Sequence, residues 1–260
     1  MRPVACLMVS LALHPPPASA PTAIAGPLRE ITVHGRDRTM RELSAGLEAD
    51  TLRQLDGVIS SSSRLKKGDT LYQAGEAFTA LFAIRQGSCK TTVLAEDGRE
   101  QVTGYHMVGD IIGLDGIGSE RHGCEAVALE DTTACTLPFA RLEQLARTSV
   151  TLQHNIHQFL SRDIGRDQDM MLLLGSMQAE ERLAVFLLNL SERYQQRGYS
   201  STEFVLRMTR QEIGSYLGMK LETVSRVFSR FQEEGLLQVQ GRSVKLFALS
   251  TLKQIAGRRC

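Results

Sequence analysis

Apolar residues recur along this chain with two periods, and the change from one to the other divides it. From about residue 70 to 137 they come in short runs rich in β-formers: Leu71-Tyr72, Leu81 to Ile84, Lys90 to Leu94, Gln101 to Met107, Ile111-Ile112 and Ala126 to Leu137. Lys67-Gly68-Asp69, Gln86-Gly87, Glu96-Asp97-Gly98 and Val108-Gly109-Asp110 separate them. Regular short strands between turn signals predict a small β-barrel or jelly roll, with the glycines at its corners rather than in a phosphate loop. Elsewhere the spacing is helical. Leu52, Leu55, Val58 and Ile59 predict a short helix within Glu48 to Ser60, and Ser149 to Ser176 reads as one long helix. Along it Leu160, Ile164, Asp167, Met171 and Leu174 alternate by four and three, the seam of a two-stranded coiled coil.

The most informative stretch is Met208 to Leu237. Thr209 and Glu212 form an S/T-x-x-E capping box, so a helix starts there. Ile213 and Leu217 share a face, and Gly218 follows where the chain must leave the helix. A second stripe, Leu221, Val224, Val227 or Phe228, and Phe231, leaves Glu222, Thr223, Ser225, Arg226, Ser229 and Arg230 on the opposite face. An Arg that grips guanine, a carboxylate that accepts from cytosine and small hydroxyls suit a helix reading the major groove. On its own that face reads more readily as a solvated one closed by a Glu222–Arg226 salt bridge. The capped helix before it and the hairpin after it, Leu236 to Gln240 and Ser243 to Phe247 around Gly241-Arg242, favour a helix-turn-helix with a wing.

Charge supports this. The net +1 conceals 13 Lys/Arg against 8 Asp/Glu over residues 176–260, with 17 against 21 in the remainder. The basic excess lies with the helix-turn-helix, as phosphate contacts require. Five scattered cysteines without a C-x-x-C indicate neither a disulfide framework nor a zinc ribbon and fit reducing cytoplasm. Arg2, the run Val4 to Leu13 and Ala18-Ser19-Ala20 imitate a signal peptide, but the run is short and Pro21 would hinder cleavage. Residues 1–40 therefore read as a disordered tail, and no stretch is long and apolar enough to span a membrane.

Lys67-Gly68-Asp69-Thr70-Leu71-Tyr72, Phe82-Ala83-Ile84-Arg85, Gly109-Asp110-Ile111-Ile112-Gly113 and Cys135-Thr136-Leu137-Pro138-Phe139 resemble the effector domain of the Crp/Fnr family of bacterial transcription regulators. Glu222-Thr223-Val224-Ser225-Arg226 is similar to the recognition helix of its Fnr and FixK branches. The resemblance runs from about residue 40 to the end. It implies an α+β fold: a β-roll over 41–148, a dimerisation helix over 149–176 and a winged helix-turn-helix over 177–260. It also implies a homodimer on a TTGAT-N4-ATCAA palindrome, with Glu222, Ser225 and Arg226 reading bases, and an activator that contacts RNA polymerase through the loop at Glu96-Asp97-Gly98. Thr209, Arg210, Lys220, Thr223, Arg230 and Arg242 are the candidates for backbone contacts and positioning. Asp167 would face its own copy across the dimer seam and keep the dimer weak, as the matching Asp of Fnr is placed to do, or else swing to solvent.

The signal is where the chain departs from its relatives. The Gly-Glu and Arg-Ser that hold ribose and phosphate in cyclic-nucleotide-binding members fall here on Gly113-Leu114 and Glu125-Ala126, so cyclic AMP is not expected. Oxygen-sensing Fnr proteins hold a [4Fe–4S] cluster on three N-terminal cysteines and one in the roll. Cys135 matches the last, but Val33 to Glu42 contains no cysteine, so no cofactor is expected. The reading is a regulator linked to oxygen, anaerobic or related metabolic control. Its alternative is a regulator on the same scaffold that senses thiol redox through Cys89, Cys124 or Cys135, or binds haem or another small molecule. No convergent nucleophile, base and orienting group suggests an enzyme, and His154 with His157 reads as packing or surface rather than a metal pair.

Overall fold

The computed structural model describes residues 42–95 and 98–257. The expected tail, Cys6, Glu96, Asp97 and Cys260 lie outside the described residues. The N-terminal half is two facing four-stranded antiparallel sheets. Strands β1 (Ser61–Leu65), β8 (Thr132–Pro138), β3 (Ala80–Gln86) and β6 (Ile111–Ile112) form one, in that order. Strands β2 (Thr70–Tyr72), β7 (Glu125–Ala128), β4 (Ser88–Leu94) and β5 (Glu100–Met107) form the other. Tyr72, Ile84, Cys89, Ile112, Cys124, Ala126 and Ala128 interdigitate between them as one apolar cluster.

The outer face of the first sheet is covered by helices α1 (Ala49–Val58), α2 (Phe139–Thr148) and the start of α3 (Val150–Ser176). Leu55, Leu142, Leu145, Leu152 and Phe159 meet Leu81, Ala83, Cys135 and Leu137 there. Ser149 caps α3, its hydroxyl accepting from the Leu152 N–H at 3.3 Å. Then follow α4 (Ala179–Gln196), β9 (Glu203–Val205), α5 (Arg210–Leu217), α6 (Leu221–Glu233), β10 (Leu237–Gln240), β11 (Ser243–Leu246) and α7 (Leu249–Ala256). The three strands form one sheet in the order β10-β11-β9. No helix among the described residues is long and apolar enough to cross a membrane.

Two features differ from the sequence expectation. The run Ala126 to Leu137 is two strands, because Glu130-Asp131 turns the chain and Thr132 donates its hydroxyl to the carbonyls of Glu130 and Ser88 at 2.8 and 3.1 Å. Strands β1 and β9 and helices α2, α4 and α7 were not expected. Strand β1 opens with three serines and joins β8 through its backbone, a register no apolar alternation announces.

Candidate nucleic-acid interface

The capping box forms in full: Thr209 Oγ1 accepts from the Glu212 N–H at 3.2 Å, and Glu212 Oε2 from the Thr209 N–H at 2.7 Å. Helix α5 ends at Gly218, whose φ of +62° is left-handed backbone that suits glycine. Gly214, not singled out from sequence, has the stricter requirement. A Cβ there would stand 2.6 Å from the Met219 carbonyl oxygen, so only glycine lets the turn fold back under α5. Its signal was a glycine inside a helical pattern, four residues before a second one.

Helix α6 buries Val224, Val227, Phe228 and Phe231. Leu221, expected in that stripe, is exposed at the first turn. Glu222 and Arg226 are exposed and Ser225 half-buried on the opposite face. Neither Glu222 nor Arg226 forms an ion pair or side-chain hydrogen bond with any described residue, so the salt bridge of the alternative reading is not made.

The positioning candidates divide. Lys220 and Arg242 are exposed at the start of α6 and on the β10–β11 turn. Thr223 is half-buried, and Thr209 uses its hydroxyl in the cap. The Arg210 guanidinium lies 3.3 Å over the Phe228 ring, and burial lowers its pKa to about 10. Arg230 is paired with Glu180 and Glu234. Arg182, which sequence reasoning missed, ties the helices together: its guanidinium donates to the carbonyls of Leu174 at 2.7 Å, Met177 at 2.9 Å and Leu217 at 2.9 Å. These are orphan carbonyls at two helix ends, and one fork satisfies them.

Of the seam residues on α3, Ile164, Asp167 and Met171 are exposed, Ile164 by 59% and Met171 by 65%. Leu160 and Leu174 are half-buried, and Leu174 packs on the core of the C-terminal domain because α3 runs into it there. Leu172, outside the expected seam, is exposed.

In the roll, Cys89, Cys124 and Cys135 are all buried. Burial pushes the thiols of Cys89 and Cys124 up to about 12, the environment of inert packing rather than of a reactive thiolate. Cys135 sits in the outer cluster and the other two between the sheets, and no group of three or more His, Cys, Asp or Glu among the described residues could hold a metal. The described residues therefore do not fit a four-thiolate cluster. Glu125, at the position expected to oppose a phosphate, accepts from the Thr70 hydroxyl at 2.9 Å. Next to it His122 stacks on Tyr72 with centroids 3.8 Å apart and fills the space beside Gly113.

Comparison with known proteins agrees with this geometry. Residues 62–149 match the cyclic nucleotide-binding domain and residues 181–255 the Crp-like helix-turn-helix domain. The chain is 44% identical over 213 residues to the transcriptional regulatory protein btr of Bordetella pertussis, covering 82% of this chain and 88% of that protein. It is 42% identical over 227 residues to the fumarate and nitrate reduction regulatory protein of Escherichia coli K12, covering 86% and 91%. Among solved structures, FixK2 from Bradyrhizobium japonicum matches with a TM-score of 0.72 at 28% identity, over 78% of this chain and 100% of that one.

Proposed function

Because this chain belongs to the Crp/Fnr family of DNA-binding transcription regulators, we propose that it acts in the cytoplasm as a homodimeric activator on a TTGAT-N4-ATCAA palindrome, within oxygen-linked or related metabolic control. The observation that carries this is the outward face of α6. Glu222, Ser225 and Arg226 lie within about one helical turn near its N-terminal end, uncommitted to partners among the described residues, on a helix whose back is packed from Val224 onward. Lys220 and Arg242, both exposed, are the phosphate contacts; Arg210 and Arg230 act by supporting α6. Helix α3 pairs with its copy along Leu160, Ile164, Asp167 and Met171. RNA polymerase is contacted through the segment Glu96-Asp97-Gly98.

Control follows the FixK manner, without an iron–sulfur cluster or cyclic nucleotide. Three buried thiols, Cys89 and Cys124 between the sheets and Cys135 in the outer cluster, and a Glu125 carboxylate bound to Thr70 support that reading over a thiol sensor. The test is a gel-shift titration of aerobically purified protein, at fixed salt, on the palindrome against a scrambled duplex. Tight, selective binding in air, lost in Glu222→Ala, is expected. Selective binding only after anaerobic iron–sulfide reconstitution would overturn the cofactor-free reading, and none under either condition would overturn the site.

A further inference from the structure

Strand β5 is the edge of its sheet, and an edge leaves a row of backbone donors and acceptors unpaired. Here the first helix of the helix-turn-helix covers that edge. The Ser215 hydroxyl accepts from the Val102 N–H at 2.8 Å and donates to the Glu100 carbonyl at 3.1 Å, which are the two bonds a neighbouring strand would have made. The Gln101 side-chain amide donates to the Ser215 carbonyl. One turn earlier on α5, Glu212 is 3.1 Å from the Lys90 ammonium, which is also 2.9 Å from Glu100. Burial works to lower the Lys90 pKa, but the two carboxylates outweigh it and raise it, so the ammonium stays charged.

We propose that Lys90 and Ser215 are positioning residues for DNA reading: they clamp α5 to the β-roll and so fix the direction in which α6 points. The chain of contact is short. Glu212 is at once the capping residue of α5 and the partner of Lys90, and α6 packs on α5 at Gly214, where a Cβ would also lie 3.4 Å from Val224. Whatever holds α5 therefore holds α6. The FixK2 match extends over 100% of that protein's chain, roll and helix-turn-helix included. This rests on the palindrome reading above, and it deepens it. Two recognition helices must stand one DNA turn apart, and the gain from the second half-site depends on how stiffly they are held there.

The experiment uses the full-length homodimer and fluorescence anisotropy at fixed salt on three duplexes: a single half-site, the palindrome with its four-base-pair spacer, and one with a six-base-pair spacer. Lys90→Ala leaves Glu100 and Glu212 facing each other, and Ser215→Ala uncovers the strand edge. Both are expected to bind the single half-site within about twofold of the parent. They should lose about tenfold on the palindrome, with the preference between spacers flattened. Ser215→Thr keeps the hydroxyl and should restore both. An equal loss on all three duplexes, or an unchanged spacer preference, would overturn the clamp. Should Lys90→Ala fail to fold, the Ser215 pair decides alone. A parent that does not distinguish the palindrome from a scrambled duplex would overturn the DNA reading itself, a separate failure.

Discussion

His106 illustrates how burial can dominate a titration. It lies in β5, its Nε2 3.1 Å from the Thr91 hydroxyl, and burial lowers its pKa from the ordinary 6.5 to about 4 despite the nearby Asp110 carboxylate. The unfolded chain takes up a proton near 6.5 and the folded one only near 4. Between those values the unfolded state binds more protons, so stability falls as pH drops from 6.5 to about 4 and then levels for this group. The drop in melting temperature from pH 7 to pH 5 should therefore be smaller in His106→Gln than in the parent, and equal drops would refute the assignment. Arg226 works by a different physics. Exposed and without an ion pair among the described residues, it contributes little to folding, so Arg226→Ala should leave the melting temperature nearly unchanged while costing about 1–3 kcal/mol on the palindrome. Specificity should relax at one base pair only, which a set of single-base-pair variants of the site would reveal.

At the scale of elements, Asp167 tests the dimer. It is exposed on α3 between Ile164 and Met171, so a second copy docking on those apolar residues brings two carboxylates together. Asp167→Ala should shift sedimentation toward dimer at lower protein concentration, and an unchanged profile would sink the idea. Which elements the sequence disclosed follows from the same physics. The capping box, Gly218 and the wing turn were legible because each needs particular residue types at fixed spacing. The strands were legible where a polar turn bounded them, and merged at 126–137 where the turn is only Glu130-Asp131. Helix α4 carries a clear stripe in Leu183, Phe186, Leu187 and Leu190, so its signal was present without being assigned. Lys90, Ser215 and Arg182 left no trace, since their roles depend on partners up to 122 residues away, the separation of Lys90 from Glu212.

The largest apolar cluster is not confined to the C-terminal domain. Val102, Tyr105 and Met107 of β5 join Leu183, Phe186, Ile213 and Val224 in one core, so roll and helix-turn-helix share buried surface. Asp110 pins that junction. Its side chain is 7% exposed, pairs with Arg193 and, at 2.9 Å, with Arg197 of the segment ending α4, and accepts from the Met107 N–H at 2.8 Å. Burial opposes its charge, but the two guanidiniums prevail and hold the carboxyl below the usual range. That contribution is present above the ordinary carboxylate range and is lost as pH falls below it. Removing one partner of a buried pair typically costs about 3–5 kcal/mol, because the other charge stays buried. Asp110→Asn keeps the shape while removing the charge, so the loss should fall on the coupling between the two halves. Hydrogen exchange along a urea series should show β5 and α6 losing protection together in the parent. In Asp110→Asn, α6 should open at lower urea than β5. Coincident opening in the variant would mean that the shared apolar core couples the halves without the ion pairs.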